Sequence, residues 1–295
     1  MRFEKWQALG NDYVIVERDE LPFELTPARV RLLCEPHTGI GADGVLVLSR
    51  SADADYVAEL RIFNPDGSEA ELSGNGAREA VLYLRRRGWT ARDEFSILTA
   101  AGPISPVITG EFSARVDMGA ARVASSDFPT GPADGVGGLA LAHGEVRFQH
   151  ISIGNPQCAI HVDRVADLDA LDLARLGPPI ESHASFPNRT NVSWYAVLDA
   201  GPPARLRARI FERGVGETAS SGTGAAGAAV AYLLRSPQRA ELLASGEASV
   251  TVVLDGGELL VEVDEGLRVH LSGWALPVFA GDLSESFVQA LEELA

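Results

Sequence analysis

Residues 61–86 read RIFNPDGSEAELSGNGAREAVLYLRR, and a related stretch occurs again later in the chain. At a constant offset of 148 positions, residues 209–234 read RIFERGVGETASSGTGAAGAAVAYLL. The apolar run that starts each copy aligns without a gap, and Ser73 falls on Ser221. A match of this length in one register indicates that the chain contains one structural unit twice.

A second pair of matching segments lies upstream in each half. Residues 9–16, LGNDYVIV, resemble residues 153–160, IGNPQCAI. Both segments contain Gly-Asn, so Asn11 corresponds to Asn155. Two matching pairs in the same order predict a unit that was duplicated and fused. Such a duplication can place two equivalent serines face to face.

Each long copy has the pattern of a strand, a loop and a helix. A short apolar run ends in phenylalanine and a glycine-rich loop follows; then Ser-Gly-Asn-Gly or Ser-Gly-Thr-Gly opens an alanine-rich segment with helical character. The first N–H groups of a helix have no partner within it, so they form an anion site. Ser73 and Ser221 thus lie at two predicted helix N-termini that could cradle one carboxylate. The alternative is that each serine is only an N-cap, and two copies in register favour the functional interpretation.

The order of the predicted elements favours an α+β fold over a regular βαβ alternation. We expect two pseudo-symmetric halves, each a mostly antiparallel sheet wrapped around a central helix, with the active site in the cleft between them. The first half comprises residues 1–118, and the second comprises residues 119–272. The segment 273–295, which ends with helical spacing, is expected to pack back on the first half. Residues 119–144 are rich in glycine, proline and alanine and indicate a linker with loops.

The composition excludes several classes of function. The net charge of -16, from 41 acidic against 25 basic residues, argues against nucleic acid or an anionic membrane surface as partner. Two distant cysteines and six scattered histidines indicate neither a disulfide framework nor a metal site. No N-terminal apolar run resembles a signal peptide, and no stretch approaches about 20 apolar residues. We therefore expect a cytoplasmic protein that acts on a small molecule, and a homodimer is the assembly that we predict.

The chain contains a single lysine, Lys5, at the start of the first predicted strand. Pyridoxal-phosphate enzymes need a lysine for their Schiff base. Because Lys5 is poorly placed to anchor that cofactor, any amino-acid chemistry here is expected to be cofactor-free.

The motifs of both halves resemble those of the diaminopimelate epimerase family, and the resemblance covers essentially the whole chain. The motifs occur in the family's order. They are Gly10-Asn11-Asp12, the loop at residues 39–44, Phe63-Asn64, Gly74-Asn75-Gly76, Gly154-Asn155-Pro156, Asn191-Val192, Glu212-Arg213-Gly214 and Gly222-Thr223-Gly224.

This resemblance implies a fold of two similar halves and a reaction without a cofactor. The family interconverts L,L- and meso-diaminopimelate in the lysine and cell-wall pathway, with one group removing the α-proton and another returning a proton on the opposite face. These two groups fall at Ser73 and Ser221. The implied substrate contacts for the reacting end are Asn64, Gly74, Asn75, Glu212, Arg213, Gly222 and Thr223. The implied contacts for the distal end are Asn11, Asn155 and Asn191.

The sequence departs from the family at three positions of the proton-transfer apparatus. The family has cysteine where this chain has Ser73 and Ser221, and it usually has histidine where this chain has Gln157. A serine hydroxyl is far less acidic than a thiol, so it acts as a base near neutral pH only if another group accepts its proton. Glu212 can accept the proton of Ser221, whereas Gln157 cannot serve Ser73.

Three hypotheses remain open from the sequence. The first is an epimerase that works through Ser73 and Ser221 with local support. The second is a diverged member that keeps the amino-acid site but catalyses another reaction, such as an elimination, or only binds its ligand. The third is an epimerase whose two catalytic cysteines were replaced by design, although Gln157 is a further change that such a pair does not require.

Overall fold

The computed structural model describes residues 1–142, 144–237, 239–245 and 248–294, which form two compact units. Unit 1 contains Met1–Val116 together with Gly273–Ala295, and unit 2 contains Asp117–Ser272. Each unit is built on one mixed sheet with a central helix. This architecture confirms the predicted α+β fold of two sheet-rich halves.

The helices and strands are numbered in chain order. The first part of the chain forms β1 Arg2–Ala8, β2 Asn11–Glu17, a 3-10 turn Arg18–Glu20, α1 Pro27–Cys34, β3 Val45–Ser49, β4 Ala58–Phe63, β5 Glu69–Ala70, α2 Gly74–Arg86, β6 Ile97–Thr99, β7 Gly102–Ile104, β8 Val107–Gly110 and β9 Ser113–Ala120. The second part forms β10 Val136–Leu141, β11 Gly144–Ser152, β12 Pro156–His161, α3 Val165–Asp169, α4 Leu173–Glu181, β13 Asn191–Asp199, β14 Ala204–Glu212, β15 Gly216–Thr218, α5 Gly222–Arg235, α6 Arg239–Ser245, β16 Ser249–Leu254, β17 Gly257–Val263, β18 Arg268–Trp274, β19 Leu276–Asp282 and α7 Glu285–Glu293.

The sheet of unit 1 has the order β19-β1-β2-β3-β4-β6-β7, with β5 paired to β4. Most neighbours are antiparallel, and the β2–β3 and β4–β6 pairs are parallel. Helix α2 packs against β1, β2 and β3. The helix that follows the first serine loop is therefore the central helix of its unit, as predicted.

The sheet of unit 2 repeats this pairing pattern. Strands β11, β12, β13, β14, β16 and β17 follow one another in the sheet, and again only β12–β13 and β14–β16 are parallel within this run. Helix α5 packs against all six of these strands. The order of antiparallel and parallel pairs matches that of unit 1, so the internal repeat of the sequence is also a repeat of topology.

Both central helices begin at the predicted serine. The Ser73 Oγ accepts a hydrogen bond from the Gly76 N–H at 3.1 Å, and the Ser221 Oγ accepts one from the Gly224 N–H at 3.2 Å. These bonds satisfy N–H groups that would otherwise have no partner in the helix. Helix α5 is lined by fully buried alanines, whose small side chains let the surrounding strands approach closely.

The predicted linker at residues 119–144 was wrong in one respect, because it contains strand β10. Its residue His143 lies outside the described part of the chain. Gly137 interrupts the alternation of apolar side chains along β10. A Cβ added at Gly137 would lie 2.4 Å from the Phe148 ring and 2.9 Å from the Phe128 ring. A glycine is therefore needed where aromatic rings pack over the strand, and this glycine conceals the strand pattern in the sequence.

The C-terminal segment contains strand β19 before the expected helix α7. Strand β19 pairs with β1 in the sheet of unit 1. In α7, Leu291 is fully buried, and its carbonyl oxygen accepts a hydrogen bond from the Arg29 Nε at 2.7 Å. The helical spacing of the tail is confirmed, whereas the partly exposed strand before it was not predicted.

Candidate active site

Ser73 lies at the N-terminus of α2 and is contacted by two donors. The Tyr13 hydroxyl donates to the Ser73 Oγ at 3.2 Å, and the Gly76 N–H donates to the same atom at 3.1 Å. A serine hydroxyl has two acceptor lone pairs and one proton. With both lone pairs engaged, the proton of Ser73 is directed away from Tyr13 and Gly76.

Tyr13 is a candidate site residue that was not predicted from the sequence. It is buried on β2, and its ring occupies space that a side chain at position 44 would fill. A Cβ added to Gly44 would lie 2.6 Å from the Tyr13 ring and 2.3 Å from the Phe63 carbonyl oxygen. The signal was available in the upstream repeat, where Tyr13 aligns with Gln157, the position at which the family usually has histidine.

Ser221 lies at the N-terminus of α5 beside a carboxylate. Its hydroxyl donates to the Glu212 Oε1 at 2.6 Å and accepts from the Gly224 N–H at 3.2 Å. Burial raises the pKa of Glu212, and the hydrogen bond from Ser221 opposes that shift. Glu212 is therefore a better proton acceptor than an ordinary surface carboxylate, and it stands where the proton of Ser221 would go.

The surroundings of the two serines differ at the residue that follows the phenylalanine of β4 in unit 1 and of β14 in unit 2. In unit 2 this residue is Glu212, whereas in unit 1 it is Asn64, whose Nδ2 donates to the Ser68 Oγ at 2.9 Å. Ser73 thus has a phenol as its side-chain partner, and Ser221 has a carboxylate. The two halves share their topology but not their acid–base chemistry.

Two of the predicted asparagines of unit 1 are in contact. The Asn75 Nδ2 donates to the Asn11 Oδ1 at 3.1 Å, and the Asn11 Nδ2 donates to the Asp43 Oδ2 at 2.9 Å. Gly74 is the first residue of α2, so its backbone opens the helix beside them. The structure therefore brings Asn11, Ser73, Gly74 and Asn75 together at one end of the central helix.

Unit 2 has an equivalent cluster around Thr223. The Asn155 Nδ2 donates to the Thr223 Oγ1 at 3.2 Å. The fully buried Gln157 donates from its Nε2 to the Asn155 Oδ1 at 2.6 Å and to the Thr223 Oγ1 at 3.1 Å. Gln157 thus orders neighbouring polar groups, and its amide has no proton-accepting role in acid–base chemistry. Gly222 opens α5 here as Gly74 opens α2.

Both ends of the Asn191 side-chain amide form hydrogen bonds to backbone groups. Its Oδ1 accepts from the Arg213 backbone N–H at 2.8 Å, and its Nδ2 donates to the Pro156 carbonyl oxygen at 3.3 Å. The buried Glu181 accepts from the next N–H of the turn, that of Gly214, at 2.8 Å. Both side chains fix the backbone at Arg213, and a direct contact between Asn191 and the ligand stays a prediction.

A surface cavity of about 540 Å³ in unit 2 joins two of the predicted binding residues. Arg213 and Asn155 both line it. The other lining residues are Asp127, Gly154, Pro156, Pro187, Asn188 and Arg189. One guanidinium nitrogen of Arg213 donates to the Asn188 carbonyl oxygen at 2.8 Å, which orients the arginine side chain within this cavity.

Neither cysteine has the properties of a reactive thiol. Burial raises the pKa of Cys34 to about 12 and raises that of Cys158 well above its ordinary value. Cys158 is enclosed in the apolar core of unit 2. Since the thiolate is the reactive form, Cys158 acts as a small buried residue of the core and not as a nucleophile.

The described residues, 1–142, 144–237, 239–245 and 248–294, contain no metal-binding cluster and no membrane-spanning helix. Within them, His, Cys, Asp and Glu side chains form no group of three or more that could hold a metal ion. No helix in the same ranges has both the length and the hydrophobicity needed to cross a membrane.

Comparison with solved structures identifies the class of fold. A hydroxyproline epimerase from Agrobacterium vitis is 15% identical, with a TM-score of 0.61 over 95% of this chain and 91% of that chain. A phenazine biosynthesis protein of the PhzF family from Bacillus anthracis is 17% identical, with a TM-score of 0.63 over 96% and 99%. This chain therefore has the two-unit α+β fold found in these proteins.

The sequence comparisons define the family. The model of the family described as diaminopimelate epimerase matches residues 3–124 and 150–270. A diaminopimelate epimerase from Pelotomaculum thermopropionicum is 40% identical over 96% of this chain and 98% of its own length. One from Desulforudis audaxviator is 41% identical over 95% and 98%. The chain belongs to the diaminopimelate epimerase family, and the resemblance drawn from its motifs is confirmed.

Proposed function

We propose that this protein interconverts L,L- and meso-diaminopimelate by cofactor-independent proton transfer, with serines in place of the family's cysteines. The observation that carries the proposal is the hydrogen bond from the Ser221 hydroxyl to the Glu212 Oε1 at 2.6 Å. It supplies what a serine base requires, an adjacent group that accepts the hydroxyl proton.

In the proposed first step, the Ser221–Glu212 pair acts as the base. The α-proton of the substrate moves to the Ser221 Oγ while the hydroxyl proton of Ser221 moves to Glu212. Ser221 ends neutral, Glu212 becomes a carboxylic acid, and the substrate carries the electron pair at its α-carbon. The raised pKa of Glu212 favours this transfer because it strengthens the carboxylate as an acceptor.

The second step returns a proton to the opposite face of the α-carbon. Ser73 donates its hydroxyl proton, and the Tyr13 hydroxyl, 3.2 Å from the Ser73 Oγ, replaces it. Tyr13 then regains a proton from solvent, and Glu212 loses one to solvent, so the protein returns to its initial state. The α-carbon has exchanged one C–H bond for another with inverted configuration.

The substrate carboxylate is proposed to bind at the helix N-termini. Gly74 and Gly222 are the first residues of α2 and α5, whose early N–H groups and dipoles favour an anion. Asn64, Asn75, Glu212, Arg213 and Thr223 complete the contacts to the reacting amino-acid end. Asn11, Asn155 and Asn191 are proposed for the distal end.

The net charge of the chain indicates which kind of ligand it favours. A chain of net charge -16 favours a small zwitterionic amino acid over nucleic acid as a ligand. We propose that the enzyme works in the cytoplasm without a membrane partner. A homodimer remains a prediction, and light scattering of the purified protein tests it.

The function is tested by measuring the conversion of L,L-diaminopimelate to the meso isomer with chiral chromatography. Ser73→Ala and Ser221→Ala should each abolish conversion. Ser284→Ala is the matched control, since Ser284 also caps a helix, α7, by accepting the Phe287 N–H at 3.3 Å. Retained conversion in either site variant, or no conversion by the parent protein, would refute the proposal.

The unequal partners of the serines favour one second candidate. A site with a base only at Ser221–Glu212 would remove the α-proton and return it on the same face. Such a protein would replace the α-proton with deuterium in D2O without forming the meso isomer. Exchange without inversion therefore identifies this one-base reaction, and inversion excludes it.

A further inference from the structure

Arg78 is a fully buried cation close to the N-terminus of α2. Two effects make this location unfavourable for a cation. Burial removes water from the charge, and the positive end of the helix dipole repels it. Burial lowers the pKa of Arg78 to about 10, while attraction to Glu79 opposes the shift. The hydrogen bonds of Arg78 indicate why a cation occurs at this location.

The two guanidinium contacts both fall on predicted substrate-binding residues. The Arg78 Nη1 donates to the Gly74 carbonyl oxygen at 3.1 Å. Its Nη2 donates to the Asn75 Oδ1 at 2.5 Å. From Asn75 the hydrogen bonds continue to Asn11 and then to Asp43. Arg78 thus stands at one end of a chain of side chains, with Asp43 at the other.

The chemistry of the two ends determines the direction of every bond between them. A guanidinium only donates, so Asn75 must turn its oxygen toward Arg78 and its amide N–H toward Asn11. An ionised carboxylate only accepts, so Asn11 must turn its N–H toward Asp43 and its oxygen toward Asn75. An asparagine with ambiguous neighbours could flip its amide, and neither of these two is free to do so.

Asp43 is itself held in place. Its backbone N–H donates to the Asp12 Oδ1 at 3.0 Å, and its Oδ2 accepts from the Asp12 N–H at 3.0 Å. Lys5 forms an ion pair with the Asp12 Oδ2 at 2.9 Å. The only lysine of the chain therefore balances charge at the acceptor end of the hydrogen-bond chain.

The second half of the repeat provides an internal comparison. Asn75 corresponds to Thr223, and Arg78 corresponds to Ala226. A threonine hydroxyl rotates to suit its neighbours and needs no device to orient it. An asparagine amide offers a donor on one side and an acceptor on the other. The arginine thus occurs in the half that has the asparagine and is absent from the half that has the threonine.

We propose that Arg78 and Asp43 are positioning residues that fix the amide orientation of Asn75 and Asn11, so that Asn11 presents an N–H donor to a carboxylate of the ligand. The Asn11 Nδ2 has a second hydrogen that no described residue accepts, which suits an anionic group. Only the identity of the ligand rests on the proposed function. The fixed amide orientation is a property of the ligand-free protein.

The first test uses the ligand-free protein and NMR of the side-chain amide groups. Arg78→Met and, separately, Asp43→Asn should each shift the side-chain amide signals of both asparagines. The informative signal in Arg78→Met is that of Asn11, which hydrogen bonds join to Arg78 through Asn75. Arg205→Met is the control, because it removes an exposed arginine paired with Glu258. Unchanged Asn11 signals in both site variants would overturn the proposal.

The exposed location of Asp43 makes Asp43→Asn the variant expected to fold if Arg78→Met does not. Either variant suffices for the NMR test, because each removes one fixed end of the chain.

The second test is a double-mutant cycle with Asn75→Thr, read as the Kd of L,L-diaminopimelate by calorimetry. Arg78→Ala should weaken binding about tenfold or more in the parent, the effect of one charge-assisted hydrogen bond. In the Asn75→Thr background, the same change should weaken binding by less than about threefold. Equal losses in both backgrounds would contradict the positioning role. If the parent does not bind this ligand, the proposed function fails while the NMR test still decides the positioning role.

Discussion

At the scale of single residues, the reactivity of each serine depends on the group behind its hydroxyl. Ser221 donates to a partly buried carboxylate, and Ser73 accepts from a phenol. Because a carboxylate takes a proton and a phenol supplies one, the two sites are suited to opposite halves of an inversion. The asymmetry predicts that the two faces of the substrate respond differently to mutation.

Replacing Glu212 with glutamine should lower the rate of α-proton removal by about 100-fold or more, since the amide cannot accept the Ser221 proton. In the parent protein, the active form has an ionised Glu212. Because burial raises the pKa of Glu212, kcat/KM should rise with pH through a value above the ordinary carboxyl pKa. Rate measurements across the acidic range test both points. An unchanged acidic limb in Glu212→Gln would contradict this role.

Replacing Tyr13 with phenylalanine removes the hydroxyl that supplies Ser73. Inversion should fall on the order of 100-fold, the size of a lost general-acid contribution, while exchange through Ser221 continues. The ratio of meso product to deuterated L,L substrate measures the difference. Tyr56→Phe, in the loop before β4, serves as control. Equal loss of inversion and exchange would show that Tyr13 only supports the fold.

At the scale of elements, the start of β3 and the ring on β2 are packed without spare volume. Gly44→Ala would place a methyl group 2.3 Å from the Phe63 carbonyl oxygen and 2.6 Å from the Tyr13 ring. Overpacking of this kind should lower the free energy of unfolding by about 1–3 kcal/mol and displace Tyr13. Urea denaturation measures the cost. Gly266→Ala, whose added methyl group meets only the Asp264 Oδ1 at 3.3 Å, should cost much less.

Helix α2 carries a second buried ionisable side chain, Glu79, whose effect on stability depends on pH. Neither carboxyl oxygen of Glu79 has a hydrogen-bond partner in the described residues, and burial raises its pKa well above the ordinary 4.5 despite the attraction of Arg78. The folded protein therefore retains this proton at a pH where the unfolded chain has lost it. Stability attributable to Glu79 should fall as pH rises from about 4.5 through the folded-state pKa.

Glu79→Gln should remove this pH-dependent loss and make the protein more stable than the parent near neutral pH. Urea denaturation at several pH values, for parent and variant, measures the slope. Glu258→Gln is the control, because Glu258 is an exposed partner of Arg205. Parallel pH profiles for parent and Glu79→Gln would show that Glu79 ionises normally in the folded protein.

Elements were predictable from the sequence where apolar periodicity and capping agreed. Helices α2 and α5 begin at the serines identified from the repeat. Strand β10 was missed because Gly137 makes room for aromatic rings instead of contributing a side chain. Side-chain partners were also beyond the sequence, because the contact of Tyr13 with Ser73 depends on how β2 packs against α2.

At the scale of the whole molecule, the internal repeat was the strongest source of prediction. Two copies of one segment indicated two units of the same topology, and the strand pairings repeat as that duplication requires. Duplication alone does not determine which polar groups have partners. Glu212 replaces Asn64, and Ala226 replaces Arg78, so each unit acquired its own chemistry on a shared scaffold.

The proposed mechanism depends on Ser221 and Glu212 acting together as a base. Proton NMR of L,L-diaminopimelate with the protein in D2O measures it most directly, because loss of the α-proton signal reports proton removal whether or not inversion follows. We predict exchange by the parent, its loss in Ser221→Ala and Glu212→Gln, and retained exchange in the capping control Ser284→Ala. A substrate that binds but keeps its α-proton for days in the parent sample would contradict the claim.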